Sequence, residues 1–180
     1  MFAVLLSGLL SVAQAGTLAG VTVPDTATVG GQALVLNGMG LREKFFFDIY
    51  VGSLYLPTKT TSSTTAITED TAKRITMSFI YGKVTKDQVN EAFDEALANQ
   101  ADKAAALKDR FEKLKGWMGD ILSGESMQYD YVPGTGTTVT VKGVVKGTIE
   151  GKDFMEALWS VYIGPKPATA ALKAGMLGAN

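Results

Sequence analysis

The side chains able to do chemistry in this sequence form a short set, because its 180 residues hold no histidine and no cysteine. Without cysteine there is no disulfide, thiol nucleophile or thiolate metal site. Without histidine the usual general base at neutral pH is missing, as is the commonest metal ligand. Arginine, lysine, tyrosine, serine, threonine and the carboxylates remain, which disfavours most hydrolases and zinc enzymes. No cofactor and no metal are expected. Gly38 and Gly40 in GMGLRE are followed by neither a third glycine nor a phosphate-loop lysine at the required spacing, so a phosphate cradle fails. Asp87, Glu91, Asp94 and Glu95 cluster on the wet side of a helix and do not define a paired-acid site.

One residue stands apart. The stretch NGMGLREKFFFDIYVGSLYLP, Asn37 to Pro57, sets Arg42 at the entrance of an aromatic strand. A guanidinium is always charged, carries five donors and accepts nothing, so it is rarely buried without a partner. Either Arg42 stands in solvent or an anion is meant to meet it. Residues an even number apart share a strand face, so Arg42 and Tyr50 share one if no bulge intervenes, and Tyr55 points the other way. Phe46 and Asp48 fall on the Tyr50 face, which makes that face a candidate cavity wall. The plain alternative is an exposed arginine at a strand end.

The elements that must position these residues follow from apolar periodicity and turn signals. The opening MFAVLLSGLLSVAQAG is apolar from Phe2 to Val12 apart from Ser7 and Ser11, and Ala13-Gln14-Ala15 matches a small-residue cleavage site. Residues 1–15 are therefore read as an export signal and 16–180 as one domain, with the product periplasmic or secreted. No later segment has the length of a transmembrane helix. Short strands are expected before Asn37, and a central strand over FFFDIYVGSLYLP, closed by Pro57. The threonine-rich stretch Thr58 to Ala72 is read as a loop with room for a short turn, and Lys73 to Tyr81 as the next strand.

The period then lengthens. Thr85-Lys86-Asp87-Gln88 has capping-box spacing ahead of Val89, Ala92, Phe93, Ala96 and Leu97. A second helix carries Ala104, Leu107, Phe111, Leu114, Met118 and Ile121 on one face. Strands return between Glu125 and Gly151, then a helix over Lys152 to Tyr162 and a short last one. The expected class is α+β, with a layer of helices on one face of a large antiparallel sheet. Lys+Arg (17) and Asp+Glu (18) nearly cancel, so no field draws in nucleic acid. The densest basic stretch, Lys108 to Lys115, is broken by Asp109 and Glu112 and reads as a solvated helix face.

The pattern LVLNGMGLREKFFFDIYVGSLYLP, with RITMSFIYGKVTKDQV and ALWSVYIGPKPATAALKAGMLG, resembles bacterial exported members of the chalcone isomerase-like superfamily. The resemblance implies an open-faced β-sandwich, a sheet backed by helices with a ligand cleft between. That superfamily includes plant isomerases that close chalcones into flavanones, non-catalytic relatives and fatty-acid binders. In the isomerases the arginine matching Arg42 is catalytic; in the fatty-acid binders that arginine and a tyrosine matching Tyr50 hold a carboxylate. The departures count against the isomerases. Tyr50 stands where they carry threonine, GKVTKDQ replaces a stretch containing an active-site tyrosine, Tyr81 comes several positions early, and a polar position falls near Met155. The main expectation is thus a binding protein for a small apolar carboxylate or phenolic ligand, held by Arg42 and Tyr50 and lined by Phe46, Phe47 and Ile49. The alternative is an isomerase, an intramolecular lyase in which Arg42 stabilises an oxyanion. A third reading pairs Arg42 structurally with Glu43 or Asp48.

Overall fold

Alternation of buried and half-exposed side chains along Lys73–Phe79 and Ser126–Val132 places these two strands at the centre of a sheet with one face packed hard against helices. The computed structural model describes residues 15–179; the expected leader, except for Ala15, lies outside them. In chain order the strands are β1 (Ala15–Leu18), β2 (Val21–Pro24), β3 (Thr26–Val29), β4 (Gln32–Lys44) and β5 (Phe47–Leu56). After α1 (Ser63–Thr68) come β6 (Lys73–Phe79), β7 (Lys83–Val84), α2 (Lys86–Ala98) and α3 (Ala101–Gly116). The chain closes with β8 (Ile121–Leu122), β9 (Ser126–Val132), β10 (Gly136–Val141), β11 (Val144–Ile149), α4 (Lys152–Ile163) and α5 (Ala170–Met176).

Seven strands form one antiparallel sheet in the order β11-β10-β9-β6-β5-β4-β3. The main core lies between one face of this sheet and the helices, and includes Tyr50, Leu54 and Leu56 of β5 with Phe93, Phe111, Phe154 and Trp159. A smaller cluster lies on the opposite face, where Val51 and Tyr55 of β5 meet Leu34, Leu36 and Met39 of β4 and Val23 of β2. Tyr55 donates its hydroxyl to the Pro24 carbonyl at 2.8 Å on that second face. The α+β architecture with helices on one side of an antiparallel sheet is the expected one.

Three local expectations change. Arg42 does not open the strand that carries Tyr50. β4 runs unbroken through the glycines to Lys44, and the chain reverses at Phe45 and Phe46, so Arg42 and Tyr50 sit on neighbouring antiparallel strands. Both phenylalanines occupy the left-handed region, with φ of 51° and 74°. That geometry usually calls for Asn-Gly, so no residue type here announces the turn. Within the threonine-rich stretch, α1 forms because the Ser62 side chain accepts from the Thr65 amide and caps it. The second long helix ends at Gly116, short of Ile121, which joins β8. The capping box that starts α2 forms as its spacing indicates, with Thr85 and Gln88 bonding reciprocally.

The glycines of β4 serve a close approach. A Cβ on Gly38 would stand 2.2 Å from the Gly175 carbonyl oxygen, and one on Gly40 would stand 2.1 Å from that of Leu172. α5 therefore lies directly on β4, backbone to backbone. Between Leu36 and Gly38 the register slips. The buried Asn37 at this bulge donates to the Met176 carbonyl at 2.8 Å and accepts from the Thr60 amide at 2.7 Å. This clamp holds the strand that carries Arg42.

Candidate ligand-binding site

The β4–β5 register makes Arg42 and Tyr50 direct cross-strand partners. The guanidinium carbon stands 5.5 Å from the Tyr50 ring centroid, within cation–π range. The other neighbour of that ring is Phe79 of β6, at 5.3 Å between centroids. Arg42 is half-buried, and its Nε is wholly buried without a hydrogen-bond partner. Among the described residues it makes no ion pair. The proposed structural partners, Glu43 and Asp48, are exposed and oppose each other one rung nearer the hairpin tip. The charge of Arg42 thus remains open to an external anion.

Behind the arginine lie two tyrosines that sequence reasoning did not assign to the site. Tyr162 of α4 reaches the same cleft and donates its hydroxyl to that of Tyr129 of β9 at 3.3 Å. Burial pushes the phenols of Tyr50, Tyr129 and Tyr162 above the ordinary tyrosine range. For Tyr50 the neighbouring guanidinium works against that rise but does not cancel it. All three are neutral at pH 7, which keeps them as hydroxyl donors. The position of Tyr162 on the apolar stripe of α4 had a bland explanation as core; the phenol hydroxyl within that stripe was the one available hint.

The cleft runs from this polar end between the sheet and α2, a partly open space of about 140 Å³. Met77 and Phe79 supply one wall, Val89, Ala92 and Phe93 the other, and Val161 of α4 the floor. Lys166, Gln88 and Glu95 stand around its edge. The lining differs from the expected one. Phe46 is fully exposed at the hairpin tip, Phe47 packs on Tyr81 with centroids 5.4 Å apart, and Ile49 is a half-buried flank of the main core. The reason is the turn at Phe45-Phe46, which sends Phe46 and Phe47 beyond the sheet end instead of under α2. Met155 is buried in the core, and the Gly82–Gln88 stretch contributes Val84 and Gln88 to the cleft but no tyrosine.

Such an arrangement is built to hold a small anion with an apolar body. The cation and its hydroxyl neighbours converge on one end, and apolar side chains line most of the rest, with Gln88, Glu95, Asn99 and Lys166 at the rim. No group of three or more carboxylates able to hold a metal occurs among the described residues.

A family model described as chalcone isomerase-like matches residues 15–178. The crystal structure of a fatty-acid binding protein from Arabidopsis thaliana superposes with a TM-score of 0.73 at 17% identity, over 91% of this chain and 96% of that one. At that identity the likeness establishes a common fold. No functionally curated sequence matches.

Proposed function

The chain belongs to the chalcone isomerase-like family, and from that premise we propose that it binds a small apolar acid, a fatty acid being the first candidate, in the cleft between its sheet and α2. One observation carries the reading: an arginine without an ion-pair partner, its Nε buried and unbonded, stands among protonated tyrosines at the end of an apolar cleft. A carboxylate entering there gains a charge-assisted contact with Arg42 and a hydroxyl from Tyr50, while its hydrocarbon lies along Phe79 and Phe93. The plant fatty-acid binding protein of the same fold supports this choice of ligand class.

The isomerase alternative finds less support. Oxyanion stabilisation by Arg42 is one part of ring closure, which also needs a placed nucleophile and a proton acceptor. The cleft has Glu95 only at its edge and no tyrosine from the Gly82–Gln88 stretch. Native mass spectrometry of the purified protein, with extraction of whatever is bound, tests the binding reading. A co-purifying fatty acid supports it; an empty cleft that turns over a cyclisable phenol overturns it.

Export completes the proposal. The apolar run and the Ala-Gln-Ala site support cleavage after Ala15 and a periplasmic or secreted product. Such cleavage removes one pair of the β1–β2 ladder, Ala15 with Pro24, and leaves the pairs from Gly16 to Leu18. Intact mass of the product from an envelope or secreted fraction should begin at Gly16; a cytoplasmic product retaining Met1 would refute it.

A further inference from the structure

We propose that the β4–β5 hairpin tip, Lys44 to Phe47, is a membrane-docking finger that inserts its phenylalanines into a lipid surface beside the cleft mouth. The first observation is exposure. Phe45 is 78% exposed, Phe46 102% and Phe47 54%. The other large exposed apolar residues, Leu122, Val144 and Val145, lie at the same end of the molecule. The register makes this plain, since Val141, Met127, Met77, Gly52 and Gly40 stand in one row across the sheet, and the 45–46 and 142–143 turns both project from the same side of it. No described helix is long and apolar enough to span a bilayer, so contact with one would be at its surface.

The second observation is strain. Phe45 and Phe46 both hold positive φ, a conformation strained for any residue with a side chain. Asn-Gly would make the same turn without strain and without exposed rings. Nothing in the packing of the fold accounts for two phenylalanines there, because neither touches the core.

The occupant follows from shape and charge. A convex tip of three aromatic side chains, worth about 150–250 Å² each even when wholly buried, falls short of the ~800 Å² per partner of a stable protein interface. A fluid bilayer conforms to such a tip. Lys44 lies over the Phe45 ring at 5.8 Å, and neither it nor Lys146 makes an ion pair among the described residues. Both suit anionic headgroups. Lys83 and Lys142, also at this end, are occupied by Asp120 and Glu125. Glu43 and Asp48, one rung behind Lys44 and Phe47, limit insertion to the tip itself. One rung further back is the Arg42–Tyr50 pair, so the finger sets the acid-binding end of the cleft roughly 7 Å from its apolar base. A role in collecting or delivering a lipid-derived acid rests on the binding reading above; the docking itself does not.

Vesicle sedimentation with phosphatidylcholine alone and with phosphatidylglycerol added tests the proposal, alongside a Phe46→Trp reporter and brominated-chain lipids. The chain beginning at Gly16 should pellet with vesicles, more strongly with the anionic ones, and the reporter should shift to the blue and be quenched. The double variant Phe45→Asn with Phe46→Gly should fold at least as stably, keep its acid affinity, and partition about tenfold or more less well. Failure of the native chain to pellet, equal pelleting of the double variant, or an unmoved reporter would each overturn docking. So would sedimentation velocity showing that the tip makes dimers and binds no vesicle. Acid titration of the same samples separates the two readings: vesicle binding without acid binding sinks only the acid-binding reading, and the reverse sinks only the finger.

Discussion

At the scale of single residues, Arg42 is the strongest commitment. Its burial is partial and its charge unmatched, so Arg42→Met keeps much of the shape and removes an uncompensated cation. Folding stability should hold or rise, because an apolar replacement for an unpaired buried charge is often neutral or better. Affinity for a long-chain carboxylate should fall by about 2–4 kcal/mol. Tyr50→Phe should cost about 1 kcal/mol, the loss of one neutral donor. Calorimetric titration with parallel melts reads both; unchanged affinity with a large drop in Tm would make Arg42 a structural residue.

Lys73 offers a second test at this scale. Its ammonium is wholly buried, donates to the Ala66 and Glu69 carbonyls at 2.8 and 2.7 Å, and secures the C-terminal end of α1. Burial lowers its pKa from 10.5 to about 8. Between those values the unfolded chain holds more protons than the folded one, so this site's penalty is fully present below about pH 8 and is relieved as pH rises. Urea unfolding at pH 7.5 and 9.5 should give the native chain a gain of about 1–2 kcal/mol relative to the pH response of Lys73→Met. The buried tyrosines act in the opposite sense, but only as the unfolded phenols titrate near pH 10. Parallel pH responses of the two proteins would discard the assignment.

At the scale of elements, the contact between β4 and α5 decides where Arg42 stands. Gly40→Ala places a methyl against the Leu172 backbone, which no rotamer change can relieve. Destabilisation of about 1–3 kcal/mol is expected from such overpacking, with weaker acid binding as the strand shifts. Thr85→Ala removes the side-chain half of the capping box on α2, the helix forming the outer wall of the cleft. It should cost about 1 kcal/mol of stability and leave affinity nearly unchanged at temperatures where the chain is folded. Chemical denaturation of both variants against the native chain distinguishes these effects, and a Gly40→Ala protein as stable as the native one would mean that α5 is not tightly seated.

At the scale of the whole molecule, the chain is a lined cleft with one charged end, and it should not catalyse chalcone cyclisation. Absorbance assays should find no saturable turnover; activity that vanishes in Arg42→Met would reverse the functional reading. Much of this was legible beforehand. The missing histidine and cysteine excluded whole classes of chemistry, and the switch from period two to period 3.6 at Thr85 marked where sheet gives way to helix. A guanidinium's permanent charge singled out Arg42. These are local properties, carried by residue type and by spacing within one element. What only the tertiary structure decided is non-local. A hairpin between Lys44 and Phe47, unmarked by any turn residue, turned an expected cavity wall into an exposed tip and set Arg42 opposite Tyr50. Tyr129 and Tyr162, far along the chain, joined that pair because β9 lies beside β6 and α4 packs across the sheet. Side-chain periodicity says which face of an element turns inward; packing between elements decides what that face meets.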